Sequence, residues 1–138
     1  MRVCVYGAGA IGGHLAMRFA RGGAEVSVVA RGAHLAAIQR NGLTVHAVDG
    51  EHHVKLPASD DPARLGPQDA VVVTVKAPAL PQVATAIGPL LRPDTGVAFV
   101  MNGIPWWYFD ALPGKHEGHR LPRIDPGDAL WRAVGPEQ

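Results

Sequence analysis

The sequence predicts an α/β fold built on a doubly wound, mostly parallel sheet. Three observations indicate this fold class. Short apolar segments alternate with helical segments through residues 1–112, which is typical of β-α-β units with right-handed crossovers. Two of the later apolar segments are unbroken runs of the kind that central parallel strands contain. A glycine-rich turn joins the first strand to the first helix.

The first β-α pair is predicted from the strand Arg2–Tyr6, the turn Gly7–Gly13 and the apolar-periodic segment Leu15–Ala20. An apolar strand that ends in G-x-G-x-x-G and opens a helix is the phosphate-binding turn of a Rossmann-like dinucleotide fold. Its glycines permit a tight turn, close approach of a pyrophosphate and close helix packing. We therefore expect cofactor contacts at Gly7, Ala8, Gly9, Ala10, Ile11 and Gly12. A tight turn that binds nothing is the alternative.

A second strand, Glu25–Ala30, completes the β-α-β unit after Gly22 and Gly23 end the first helix. A small antiparallel hairpin, outside the parallel sheet, is predicted further along, because alternating apolar residues flank a typical turn dipeptide. The segments that follow the second strand are a helix at about residues 33–40, hairpin strands Leu43–Val48 and His53–Leu56, and the turn Asp49-Gly50.

The second half of the sheet is predicted from two buried runs, Val71–Val75 and Val97–Met101. A helix is expected within Leu80–Leu91 between them, and a short helical turn at Pro62–Leu65 before them. Strands alternating with helices in this way favour one Rossmann-like domain over residues 1–112.

Residues 113–138 differ from that domain in composition, because Gly, Pro and charged residues accumulate there. A helical segment is expected at Asp128–Ala133. The composition indicates a tail, or the start of a connection to another domain. The large aromatic residues at 106–109 and 131 are expected to dock onto this domain or onto a partner, since such side chains are seldom left in water.

Composition and charge exclude several classes of function. The net charge is +1 with no block of like charge, so neither a nucleic-acid partner nor a membrane partner is expected. No leader pattern precedes the first strand and no apolar run could span a bilayer, which predicts a cytoplasmic protein. Cys4 is expected to be a buried, inert thiol. The seven histidines lack metal-ligand spacing, so no metal site is expected.

Arg31 stands at the end of the second strand, where NAD-binding domains carry an Asp or Glu that accepts hydrogen bonds from the adenosine ribose. A guanidinium cannot accept those bonds, but it matches a 2′-phosphate bidentately. The sequence therefore predicts NADP(H) as the cofactor. A solvated arginine at the start of a helix is the alternative.

The chain resembles the ketopantoate reductases (2-dehydropantoate 2-reductases) over roughly Arg2 to Pro105. The resemblance lies in the glycine turn, in Arg31-Gly32 with His34-Leu35, in Val75-Lys76-Ala77 and in Asn102-Gly103. It implies reduction of a 2-oxo acid, expected to be ketopantoate, to a 2-hydroxy acid with hydride from NADPH, for pantothenate and coenzyme A biosynthesis. By match to the family motifs, Lys76 and Asn102 are expected to contact cofactor and substrate.

The resemblance also implies a second, helical domain that holds the general-acid lysine and a substrate-binding carboxylate, both expected beyond Gln138. No catalytic residue is therefore assigned within the 138 residues, and this chain alone is expected to be inactive, with the second domain supplied in cis or in trans. A non-catalytic nucleotide-binding regulatory module and a structural remnant are the alternatives. Apolar surface around Trp106, Trp107 and Trp131 also favours a homo-oligomer.

Overall fold

The computed structural model describes residues 1–136 and confirms the α/β, Rossmann-like fold. The seven strands of the described residues are β1 (Arg2–Tyr6), β2 (Glu25–Val29), β3 (Leu43–Ala47), β4 (Gly50–Val54), β5 (Ala58–Ser59), β6 (Ala70–Val73) and β7 (Gly96–Phe99). The four α-helices are α1 (Ala10–Arg21), α2 (Gly32–Asn41), α3 (Leu80–Ala86) and α4 (Ala129–Ala133). Short 3-10 turns occur at Pro62–Arg64, Ala77–Ala79, Gly88–Leu90 and Pro126–Asp128.

The main sheet has the strand order β5-β2-β1-β6-β7, and all its pairings are parallel. Chain order reverses beside β1, because β2 lies on one side of it and β6 on the other. In such a sheet the crevice at this reversal, outside the carboxyl ends of the strands, is where ligands bind.

Side chains of β1 point alternately to the two faces of the sheet. Cys4 and Tyr6 join an apolar cluster with α3 and α4, whereas Val3 and Val5 join a second cluster with α1 and α2. The strand is therefore buried on both faces, which explains why its sequence is almost continuously apolar. Burial raises the pKa of the Cys4 thiol to about 11.

The hairpin β3-β4 forms a separate antiparallel sheet, as expected, but its turn is one residue earlier than predicted. Ala47 pairs with Gly50, so Val48 and Asp49 form the turn. The register follows Leu43, which is 3 % exposed in the core and pairs with Val54. A shift by one residue would turn that side chain to solvent.

The predicted ends of two strands of the main sheet were wrong. β6 and β7 end two residues before Val75 and Met101, because the chain there leaves the sheet to form the rim of a cleft. The helix expected within Leu80–Leu91 is confirmed as α3, which ends at Ala86 before the 3-10 turn Gly88–Leu90, since Pro89 supplies no N–H for a continuing helix. The two-residue strand β5 was not predicted.

The segment after residue 105 packs against the sheet. Trp106 is 3 % exposed, and its ring contacts Phe99, Trp107 and Trp131 at centroid distances of 6.0, 5.0 and 5.5 Å. In α4, Leu130 is 1 % exposed. The three tryptophans thus dock onto this domain, whereas Tyr108 is 51% exposed. Trp106 is therefore not the exposed surface that the oligomer prediction assumed. The boundary at residue 112 and self-association stay predictions.

The carboxylate of Asp125 fixes the start of α4. Asp125 is buried, and its two carboxylate oxygens accept hydrogen bonds from the backbone N–H groups of Leu130 at 2.8 Å and Trp131 at 3.0 Å. Such a carboxylate satisfies N–H groups that the first helical turn leaves without partners. The predicted tail extends to Gln138, but Glu137 and Gln138 lie outside the described residues.

Within residues 1–136, no helix is long and apolar enough to cross a membrane. No three His, Cys, Asp or Glu side chains of those residues come together in an arrangement that could hold a metal ion.

Candidate functional site

Most of the predicted site residues line one cleft of about 1090 Å³ at the carboxyl edge of the sheet, which we call the Asn102 cleft. Its walls come from the ends of β1, β6 and β7 and the start of α1. The predicted residues that line it are Gly7, Gly9, Ala10, Ile11, Arg31, Lys76 and Asn102. The fold therefore brings together groups that are far apart in sequence, from Gly7 to Asn102.

Thr74, which follows β6, fixes the glycine turn by a side-chain hydrogen bond. Its Oγ1 donates a hydrogen bond to the carbonyl oxygen of Gly7 at 2.6 Å. Gly7 has a φ of +112°, which favours glycine, and a Cβ on Gly12 would collide with the Gly7 carbonyl and the Thr74 hydroxyl. The turn and α1 are packed so closely that these two positions need glycine.

Gly9 differs from the other two glycines because a Cβ there would meet nothing within 4 Å. It is the N-cap residue of α1, its backbone is extended, and no acidic residue lies in the first helical turn. The N–H groups of that turn have no intrahelical partners, and the positive end of the helix dipole faces the same space. Open space in front of unpaired donors fits a phosphate group.

A second cleft of about 360 Å³, which we call the Arg31 cleft, lies between the ends of β1 and β2 and the helix α3. Arg31, at its mouth, donates from Nη1 to Oε1 of Gln82 at 2.7 Å. His34 donates from Nε2 to the carbonyl oxygen of Ala8 at 2.7 Å, since a carbonyl can only accept. Asp60 contributes a carboxylate to the lining.

Lys76 and Asn102 follow β6 and β7, and both are exposed at the rim of the Asn102 cleft. Beside Asn102 opens an apolar pocket of about 310 Å³ whose walls include Phe99, Met101 and Trp107. An amine and an amide thus line the same cleft, and the amide also borders an apolar recess, an arrangement typical of small-molecule sites.

Of the predicted residues, two lie outside the Asn102 cleft. Ala8 lines the Arg31 cleft, and Gly12 is a buried packing position of α1. Sequence reasoning missed Thr74, Asp60 and Gln82. Thr74 directly follows β6, so the strand-end rule could have found it. Asp60 follows β5, a strand that the sequence did not reveal. Gln82 had no such signal, because it lies inside a helix.

The general acid implied by the family resemblance stays a prediction. It is expected beyond Gln138, and Gln138 itself lies outside the described residues. None of residues 1–136 is therefore assigned as the proton donor, and Lys76 and Asn102 stay predicted binding residues.

Comparison with known proteins identifies the family. Residues 3–105 match the family model described as ketopantoate reductase PanE/ApbA. This chain belongs to that family. The resemblance drawn from the sequence motifs is therefore confirmed, and the match ends at Pro105, just before the Trp106 cluster.

Individual relatives agree with the family match. A 2-dehydropantoate 2-reductase of Mesorhizobium japonicum is 45% identical over the whole of this chain, which covers 43% of that protein. A candidate ketopantoate reductase of Ralstonia solanacearum MolK2 superposes with a TM-score of 0.90 at 47% identity, over 96% of this chain and 41% of the other. A D-mandelate dehydrogenase solved with NADH and anilino(oxo)acetate gives a TM-score of 0.70 at 28% identity, over 76% of this chain and 35% of the other.

The chain thus spans about two fifths of the length of these family members. Members of the family are oxidoreductases. The glycine turn and the two clefts lie in the part of their length that this chain covers.

Proposed function

We propose that this chain is the NADP(H)-binding part of a cytoplasmic 2-dehydropantoate 2-reductase-like oxidoreductase. The observation that carries the proposal is that the open space in front of Gly9, which we call the Gly9 cradle, adjoins the cleft that has Arg31 at its mouth. The pyrophosphate would lie against the N-terminus of α1, and the adenosine 2′-phosphate would bind the Arg31 guanidinium.

The nicotinamide end of the cofactor would lie in the Asn102 cleft. Bound there, the cofactor supplies the hydride that reduces the carbonyl carbon of a 2-oxo acid to a 2-hydroxy acid. The Lys76 ammonium would attract the substrate carboxylate, and the Asn102 amide would donate to a substrate or nicotinamide oxygen. Ketopantoate is the proposed substrate, in line with the name of the Mesorhizobium relative.

The proposal includes that the 138 residues alone bind cofactor but turn over little. Reduction of a ketone needs a proton donor as well as a hydride donor, and we assign that donor to the second domain, in cis or in trans, that the family resemblance implies. This chain covers 43% of the Mesorhizobium enzyme, which leaves room for such a domain there.

Calorimetric titration of the chain with NADPH and NADH tests the proposal. We expect NADPH to bind more tightly by about 10- to 100-fold, because a charge-assisted hydrogen bond contributes about 1.5–3 kcal/mol. Arg31→Ala should remove that preference. Lys55→Ala is the control, since Lys55 is an exposed lysine that lines a different surface cleft.

Two results would contradict the proposal in different ways. Equal or tighter binding of NADH would refute the NADP(H) assignment and would turn attention to Asp60, a carboxylate in the Arg31 cleft that could accept ribose hydroxyls. Absence of binding to either cofactor would refute the site itself.

A further inference from the structure

The hydrogen bond from Arg31 to Gln82 joins the two walls of the Arg31 cleft. Arg31 precedes α2 at the end of β2, whereas Gln82 lies in α3, which follows β6. Both residues line the cleft, and the Nη1 to Oε1 distance is 2.7 Å. The bond therefore spans the space where the proposed adenosine group would enter.

We propose that Gln82 is a positioning residue that determines the preference for NADP(H) over NAD(H), by holding the Arg31 guanidinium across the cleft. The inference rests on the proposed function. Gln82 acts through Arg31, and the 2′-phosphate binds the donors of Arg31 that the bond to Gln82 leaves available.

The neutral amide of Gln82 suits this role because it orients the guanidinium without neutralising its charge. None of the ion pairs formed within residues 1–136 includes Arg31. Asp60 lines the same cleft without pairing with it. The full positive charge of Arg31 thus remains available for a phosphate, and a carboxylate at position 82 would compete with that phosphate.

The bond also restricts an otherwise exposed side chain. Arg31 is exposed, and a free arginine loses much rotamer freedom when it binds a ligand. A partner that already selects one arrangement reduces that loss, which is the general effect of preorganisation on affinity. The effect applies to ligands with a 2′-phosphate and not to those without one.

Titration with adenosine 2′,5′-bisphosphate and with 5′-AMP isolates the adenosine end of the site. Gln82→Ala should weaken binding of the bisphosphate by about 3- to 10-fold, the size expected for one hydrogen bond, and leave 5′-AMP within about twofold. Gln82→Glu should weaken the bisphosphate by more than about tenfold, because the new carboxylate pairs with Arg31 and repels the phosphate.

A double-mutant cycle separates positioning from a direct contact. In an Arg31→Ala background, Gln82→Ala should cause no further loss of bisphosphate affinity. Thr85→Ala is the matched control, because Thr85 is an exposed residue of the same helix outside the cleft lining, and its hydroxyl donates to the backbone carbonyl of Gln82 rather than to the side-chain amide. It should bind both ligands as the wild-type chain does.

An equal loss for both ligands, unchanged affinities in both Gln82 variants, or a further loss in the Arg31→Ala background would overturn the role of Gln82. If the wild-type chain binds the bisphosphate no better than 5′-AMP, the NADP(H) assignment falls as well. If the wild-type preference is present but both Gln82 variants keep it undiminished, the inference alone fails and the proposed function stands.

Discussion

Two regions at opposite ends of the chain differ in how well the sequence predicts them. One is the glycine turn, residues 7–13, and the other is the aromatic cluster around Trp106, Trp107 and Trp131. In the turn, the constraint at Gly12 comes largely from Gly7, five positions away. In the cluster, Trp106 contacts a strand residue, Phe99, and a helix residue, Trp131. One region is built mainly from neighbours in sequence and the other from residues of three separate elements.

The difference also concerns what each region contributes. The turn keeps open space in front of Gly9 and is suited to hold a ligand. The cluster fills space, since Trp106 and Leu130 are almost completely buried in one apolar core. We therefore expect a substitution at Gly9 of the turn to separate binding from stability, and a substitution at Leu130 in the core of the cluster to change stability alone.

Gly12→Ala should cause the largest effect. The added Cβ collides with the backbone carbonyl of Gly7 and with Thr74, so the free energy of unfolding should fall by about 4 kcal/mol, at the upper end for overpacking. Urea denaturation monitored by circular dichroism measures the loss. NADPH affinity should fall as well, because the turn must move.

Gly9→Ala is the matched variant in the same motif. Its Cβ enters free space, so the free energy of unfolding should change by less than about 0.5 kcal/mol. Its affinity for NADPH should still fall by about tenfold, because the methyl group occupies the approach of the pyrophosphate. Tight NADPH binding by this variant would argue against the cradle.

Leu130→Ala should have the next largest effect. Removal of a side chain that is 1 % exposed should lower the free energy of unfolding by about 3 kcal/mol. NADPH affinity should remain within about twofold of wild type if the cluster only stabilises the fold. Leu112→Ala is the control, because Leu112 is 44% exposed. A neutral Leu130→Ala would show that α4 is not part of the core in solution.

Asp69 should give the smallest effect, seen as a pH dependence. The backbone N–H of Arg2, followed by the Arg92 guanidinium, holds the pKa of the Asp69 carboxyl below its usual value. This stabilisation is present above the unfolded pKa of about 4 and is lost as the pH falls through the lower, folded value. The free energy of unfolding, measured at a series of pH values from about 6 down to about 2, should therefore depend less steeply on pH in Asp69→Asn than in the wild-type chain.

Arg92→Gln provides the comparison for that measurement. It removes the second cause of the lowered pKa and leaves the backbone N–H bond of Arg2, so the slope should fall less than in Asp69→Asn. Equal slopes in all three proteins would assign the acid sensitivity to other carboxylates.

The candidate site was predictable where a strand end or a family motif marked the residue. Arg31 was predicted from its place at the end of β2, and Lys76 and Asn102 by match to the family motifs; the fold places all three along the rim of the clefts. Gln82 was not predictable, because its contact with Arg31 depends on how α3 packs beside β2. The turn of the β3-β4 hairpin was missed by one residue for a similar reason, since burial of Leu43 sets its register.

The sequence by itself determined the order of the longer strands and the helices, the glycine-rich turn and the family, because these follow from apolar periodicity and from constraints among residues near one another in the chain. Only the tertiary structure decided that Gln82 holds Arg31 and that Trp106 and Leu130 complete the core. Those contacts join distant segments, and composition carries no information about which distant surfaces will meet. Burial of large apolar side chains from residues 106–134 outweighed a local composition typical of a linker.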